Sequence, residues 1–198
     1  MWFGKGNTNK GLDGELVPYM DAVEFAQMRA VVETLAPRRV LEWGSGGSTK
    51  ALLDACPFIE RFVSIEHDPN WVEKVREKVI DPRLELHLKE ADDTPPDLMA
   101  DRKAFQEWAA RAERDPALMA TYVGFPATLG IAFDFVLVDG RARRLCVAAG
   151  WELLRSGGVL LLHDAQREDY HDAVEALGER AIFLEPWGGG QICIIRKP

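Results

Sequence analysis

The chain has 198 residues, 47% of them hydrophobic and 28% charged, with a formal net charge of -8. That length suits one α/β domain with a real core and is short for two. The acidic balance argues against a broad nucleic-acid surface, which would pair Lys and Arg with phosphates, and no apolar run approaches the roughly 18 residues of a membrane-spanning helix.

Residues 1–16, rich in Gly, Asn and Lys, read as a flexible N-terminal arm, and residues 17–198 as a single domain. Asp21 followed by Glu24 approximates a helix-capping pair, and Ala22, Phe25, Ala26, Val32 and Leu35 form an apolar helix face that Pro37 ends. Arg39–Trp43 is the first expected strand. A glycine-rich turn follows, then a helix from Thr49 to Ala55. Arg61–Glu66 is the second strand, and Asp68-Pro69 opens a helix carried by Val72, Val75 and Val79. The third strand is about Arg83–Leu88.

The stretch of about 90–132 is a long helical insertion, with Leu98, Phe105, Trp108, Ala109 and Ala112 at helical spacing and a short helix near Tyr122. Phe133–Val138 is a continuous apolar run, as expected of a central strand buried on both faces. A helix with Leu145, Ala148, Ala149 and Leu153 is expected to end at Ser156-Gly157-Gly158, before strand Val159–Leu162. Tyr170, Val174 and Leu177 mark a last helix, stopped by Gly178. Ala181–Leu184 and Ile192–Ile195 are separated by only a glycine-rich turn, so they pair antiparallel. The alternating pattern predicts a doubly wound, Rossmann-like α/β fold: a seven-stranded, mostly parallel sheet with an antiparallel last strand.

In such sheets ligands bind beyond the carboxyl ends of the strands. The polar residues of interest fall at those ends. They are Glu42 with the turn Gly44-Ser45-Gly46-Gly47-Ser48-Thr49, Glu66 with His67, Asp92, Asp139-Gly140-Arg141, and His163-Asp164. Glycines in the turn allow close backbone approach, and the helix start behind them offers free N–H groups. A dinucleotide loop would carry a third glycine where Thr49 stands, and Glu42 would repel a pyrophosphate. A dinucleotide-dependent oxidoreductase is therefore the weaker of the two readings this geometry allows.

The segment Glu42-Trp43-Gly44-Ser45-Gly46-Gly47 resembles motif I of class I S-adenosylmethionine-dependent methyltransferases, and the terminal hairpin resembles their reversed seventh strand. The resemblance covers nearly all of residues 20–198 and implies a strand order of 3-2-1-4-5-7-6. It implies S-adenosylmethionine as cofactor, bound by Glu42, Gly44, Ser45, Gly46, Gly47, Ser48 and Thr49, by Glu66 at the ribose with His67 beside it, by Asp92 near the adenine, and by Asp139. Val138-Asp139-Gly140 and Gly157–Asp164 are similar to segments of metal-dependent small-molecule O-methyltransferases. There, acids after strands four and five hold a divalent cation. Asp139 and Asp164 match, but Ala165 stands where a third ligand is required, so a metal is not favoured.

The expected catalytic residues are Asp139, His163 and Asp164, with His163 or Asp164 as general base. Arg141 is the expected substrate contact, because arginine clamps carboxylates and phosphates. The glycine turn together with Val138-Asp139-Gly140-Arg141 also resembles a little-characterised bacterial group of methyltransferase-like proteins. The function implied is methyl transfer to an oxygen of a small, anionic molecule. A cofactor-binding module without catalysis is the alternative. The partner is then a small molecule, without nucleic acid or membrane; a homo-oligomer is compatible. Cys56, Cys146 and Cys193 have no metal-ligand spacing and read as buried thiols of a cytoplasmic protein.

Overall fold

The computed structural model describes residues 15–198. Of the expected arm, only Glu15 and Leu16 fall among the described residues. Leu16 is buried in the core rather than loose.

Helix α1 (Ala22–Leu35) is capped by Asp21, which accepts the N–H of Val23. Strands β1 (Arg39–Trp43), β2 (Arg61–Glu66) and β3 (Leu84–Leu88) alternate with helices α2 (Gly47–Ala55) and α3 (Pro69–Lys78). The insertion folds as α4 (Arg102–Ala112) and α5 (Ala120–Gly124), with 3-10 turns after each. Then come β4 (Phe133–Val138), α6 (Arg143–Leu153), β5 (Leu154–Leu162), the short α7 (His171–Glu175), β6 (Ala181–Phe183) and β7 (Cys193–Arg196).

The seven strands form one sheet of order β3-β2-β1-β4-β5-β7-β6. The pairings from β3 to β5 are parallel, and β7 is antiparallel to both β5 and β6. Fold and strand order are those expected from the sequence.

Three boundaries differ from expectation. Helix α2 begins at Gly47 rather than Thr49. Strand β5 begins at Leu154, ahead of the glycines. It carries an irregularity opposite Asp134, where Gly157 takes up a left-handed φ of 77°. Helix α7 is shorter than the Tyr170–Leu177 periodicity suggests, because a 3-10 turn at Glu168–Tyr170 takes its first part.

The central strands bury both faces. Leu41, Trp43, Val63, Ile65, Val136 and Val138 face one core, shared with Trp108, Tyr122, Cys146 and Val174 of the later helices. Val40, Phe62, Phe135, Leu137 and Leu161 face the other, shared with Met28, Val32, Leu52 and Val75 of α1, α2 and α3. This period of two is what a sandwiched sheet requires. All three cysteines are free and buried.

At the amino end of the sheet, Asp134 ties three strands together. Its Oδ2 accepts the N–H groups of Arg38 (2.9 Å) and Arg39 (2.7 Å), and its Oδ1 accepts from Arg155 Nε (2.5 Å). Those backbone and guanidinium donors hold its carboxyl below the usual range despite the burial that opposes them. Asp134→Ala strands these donors and is expected to cost about 2–3 kcal/mol of unfolding free energy, read as a lower midpoint in urea with an unchanged slope.

Candidate active site at the carboxyl edge

Glu42, the last residue but one of β1, is fully buried. Its Oε1 accepts from Ser48 Oγ (3.0 Å), and its Oε2 accepts from Thr49 Oγ1 (2.5 Å) and Ser64 Oγ (2.6 Å). Thr49 Oγ1 in turn accepts the N–H of Gly46 at 2.8 Å, so the residue that departs from the dinucleotide pattern ties the first turn of α2 back to the backbone before it. Glu42, Ser48 and Thr49 thus bond one another within the turn.

The glycines answer mainly to the chain's own packing. Gly44 has φ 96°, and a Cβ there would lie 2.6 Å from the Gly140 backbone. One on Gly47 would lie 1.9 Å from the carbonyl carbon of Val17, whose segment crosses the turn. A Cβ on Gly46 would lie 3.6 Å from the indole of Trp71, and Trp71 Nε1 donates to Ser45 O at 2.6 Å. Ser45 keeps its own hydroxyl buried and without a hydrogen-bond partner among the described residues. An unpaired buried hydroxyl is costly and suits a site that a ligand completes.

Glu66 closes β2 beside this turn and is nearly fully buried. Its Oε1 accepts the backbone N–H of His67 (2.7 Å) and Asp68 (3.0 Å), and His67 Nδ1 lies 2.7 Å away. No hydrogen bond engages Oε2 among the described residues. The His67 ring stands edge-on to Tyr122, centroids 5.8 Å apart. Asp92 is exposed and bonded to the insertion. It accepts the N–H (2.8 Å) and hydroxyl (2.5 Å) of Thr121, capping α5, and these bonds lower its pKa. The carboxylate expected near the adenine thus also ties β3's exit to the insertion.

Beyond β4 and β5 lies a charged cluster. His163 is buried, with Nδ1 2.6 Å from Asp139 Oδ1 and Nε2 3.0 Å from Glu24 Oε1 of α1. Burial disfavours the charged ring, but the two carboxylates outweigh it and push its pKa up to about 10. Both ring nitrogens of His163 thus face carboxylates, which favour the protonated ring.

Asp164, at a left-handed φ of 58°, accepts from Arg143 Nη1 at 2.7 Å and from Gln166 Nε2 at 3.3 Å. Although burial opposes it, the neighbouring Arg143 and His163 hold its carboxyl below the usual range. Asp164 is thus an ionised carboxylate held in an ion pair with Arg143. Asp139 keeps Oδ2 outside these contacts, which all fall on Oδ1.

Arg141 is half-buried, and its guanidinium lies over the ring of Phe105 of α4, 5.3 Å from the centroid. No carboxylate reaches it within salt-bridge distance among the described residues. Burial, and then the neighbouring Arg143, lower its pKa. Trp108, Tyr122 and Tyr170 are buried nearby with unpartnered polar atoms. Glu24 and Arg143 are the residues sequence reading missed. Glu24 was read only as part of a helix cap, and nothing local marks its approach to His163, which is remote in sequence.

Among the described residues, no three or more His, Cys, Asp or Glu side chains are grouped to hold a metal ion. The Arg143 guanidinium fills the space between Asp139 and Asp164, so the residues present do not fit a divalent cation.

No protein-family model matches the chain, and no curated protein matches it. Solved structures do. A Staphylococcus aureus protein provisionally assigned as a caffeoyl-CoA O-methyltransferase superposes with a TM-score of 0.64 at 12% identity, covering 91% of this chain and 86% of that one. A methyltransferase-like protein from Silicibacter pomeroyi gives 0.58 at 21% identity, covering 93% and 90%. An amino pentose methyltransferase from Micromonospora echinaspora, solved with S-adenosylmethionine bound, gives 0.54 at 17% identity, covering 89% and 91%. The fold is that of the class I S-adenosylmethionine-dependent methyltransferases. At these identities the likeness concerns the methyltransferase fold alone, and function rests on the site.

Burial pushes the Glu42 carboxyl up to about 7, against the three hydroxyls that pull it down. The unfolded chain releases this proton near the ordinary glutamate value of about 4.3, whereas the folded chain keeps it until about 7. Stability from this group therefore declines as pH rises through that window. Glu42→Gln is expected to flatten the decline, by on the order of 2–3 kcal/mol across it, in urea titrations at stepped pH.

Proposed function

We propose that this chain is an S-adenosylmethionine-dependent methyltransferase acting on an oxygen of a small, anionic molecule. The observation that carries the cofactor assignment is Glu66. It is a buried carboxylate at the end of β2, beside the glycine turn, with one oxygen fixed by two backbone N–H groups. The other oxygen suits a ribose hydroxyl, and the unpaired Ser45 hydroxyl and the turn backbone suit the rest of the cofactor. The bound cofactor supplies an electrophilic methyl on a sulfonium.

The chain's own residues receive the acceptor. Arg141, with no carboxylate held against it among the described residues, pairs with the anionic group of the substrate. Asp139 Oδ2 takes the acceptor hydroxyl and its proton. His163 and Arg143 hold Asp139 in place. Much of the rate comes from keeping the two reactants in line. The insertion, with Phe105 stacked against Arg141, covers this side.

One observation favours a second reading, a cofactor-binding module without turnover. Two of the three expected catalytic residues, His163 and Asp164, are locked in ion pairs.

Calorimetry with S-adenosylmethionine, S-adenosylhomocysteine and NAD separates the cofactors; selective binding of NAD would overturn the reading. Glu66→Ala is expected to weaken S-adenosylmethionine binding at least tenfold, the loss of about two hydrogen bonds from a charged acceptor. A methyl-transfer screen over small hydroxylated acids then decides between enzyme and module. In that screen, Arg141→Ala is expected to raise KM for an anionic acceptor about tenfold or more while leaving cofactor affinity unchanged.

A further inference from the structure

The turn after β1 holds three glycines, and the packing of the chain demands only two of them. Gly44 and Gly47 have no room for a Cβ, which would lie 2.6 Å from the Gly140 backbone and 1.9 Å from Val17. A Cβ on Gly46 would instead rest 3.6 Å from the Trp71 indole, an ordinary contact. Close packing therefore fixes Gly44 and Gly47, whereas Gly46 keeps the backbone freedom of a residue without a Cβ. What restrains it is hydrogen bonding. The peptide joining Ser45 to Gly46 is held at both ends by side chains: Trp71 Nε1 donates to its oxygen at 2.6 Å, and Thr49 Oγ1 accepts its N–H at 2.8 Å.

Trp71 is itself anchored from the neighbouring strand. It lies in the first turn of α3, which Asp68 caps by accepting the N–H groups of Asn70 (2.9 Å) and Trp71 (3.3 Å). The N–H of Asp68 in turn donates to Glu66 Oε1 at 3.0 Å. Lys74 Nζ stands over the indole, 4.6 Å from the ring centroid. A continuous line of bonds thus runs from the carboxylate that ends β2, through Asp68 and Trp71, to the turn that follows β1. We propose that Trp71 is a positioning residue for the cofactor: its indole N–H locks the Ser45–Gly46 peptide and holds the glycine turn in register with Glu66. The inference rests on the reading of Glu66 and the turn as the S-adenosylmethionine site, and adds to it a residue of α3 that neither the glycine motif nor a strand end marks.

A hydrogen-bond donor selects between the two ways a peptide can face. An indole N–H donates and never accepts, so it holds an oxygen and rejects an N–H. Without it, the Ser45–Gly46 peptide keeps only Thr49 Oγ1, which also bonds Glu42. Ser45 and Gly46 then turn more freely. A ligand that spans both strand ends must fix that freedom when it binds, which lowers its affinity. An ordinary packing residue would act through its ring alone; the N–H bond to Ser45 O is what sets Trp71 apart.

The test removes the N–H and keeps an aromatic ring. S-adenosylhomocysteine is titrated by calorimetry into the native chain, Trp71→Phe and Val75→Ala, and the melting temperature of each is recorded. Val75 is a buried residue one turn further along the same helix, so its truncation destabilises α3 without removing the bond to Ser45. Trp71→Phe is expected to weaken S-adenosylhomocysteine binding at least about fivefold. Val75→Ala is expected to melt at a lower temperature than the native chain and still bind within about twofold of it, measured where all three are folded. Two results overturn the inference alone: Trp71→Phe binding with native affinity, or Val75→Ala losing as much affinity as Trp71→Phe, which would assign the effect to helix stability. A native chain that binds neither S-adenosylhomocysteine nor S-adenosylmethionine overturns the cofactor reading and this inference with it, so the two failures are distinct. Should Trp71→Phe fail to fold, Trp71→Met fills the same flank without a donor and is titrated in its place, with the same outcomes deciding.

Discussion

A carboxylate at the end of a central strand must be solvated or fully bonded, and Glu42 has no exposed surface. Three hydroxyls meet it, from Ser48 and Thr49 ahead on α2 and from Ser64 on the neighbouring strand. That arrangement fixes the direction in which the chain leaves β1. It holds Gly44 against Gly140, and so sets the distance between the first and fourth strand ends. Ser45 and Glu66 on one side, and Asp139 and Arg141 on the other, depend on that distance. The acid of the glycine motif is bonded to the turn that follows it.

The second organising element is ionic. Glu24, His163, Asp139, Arg143 and Asp164 form a chain of alternating sign that runs from α1 across the ends of β4 and β5. Buried charges of this kind are tolerated only when paired and hydrogen-bonded, and here each has at least one opposite partner. The consequence for chemistry is selective. His163 and Asp164 are committed, whereas Asp139 keeps one oxygen and Arg141 its whole guanidinium. Two arginines two positions apart thereby take opposite roles, one spent on the fold and one available to a ligand.

The N-terminal segment joins these parts. Val17 lies on Gly47, Asp21 abuts Gly188, and Glu24 sits against Gly190 and His163. The segment leading into α1 thus contacts the glycine turn, and the start of α1 contacts the terminal hairpin. The insertion does the same on the other core, through Trp108 and Tyr122. The carboxyl edge is therefore walled by elements that lie outside the alternating strand–helix repeat.

The sequence by itself determined the alternation of strands and helices and the antiparallel terminal pair, while the strand order was implied by the resemblance to class I methyltransferases. Apolar runs such as Phe133–Val138, the turn glycines and the short Glu185–Gln191 connection are local signals, and a hairpin that short makes its two strands antiparallel. It also placed the polar residues at strand ends, since a strand boundary is a local property. It could not say which way each side chain points or what it meets. Glu42 looked like a ligand contact until Ser64, twenty-two residues on, proved to be bonded to it. Asp92 looked free until Thr121 proved to be its partner. His163 looked like a base until Glu24 and Asp139 were found on its two nitrogens. Arg143 and Arg141 share one residue type and nearly one position. Only the tertiary structure separates them, because the availability of a charge depends on partners brought in from distant strands, and those contacts exist only in the folded chain.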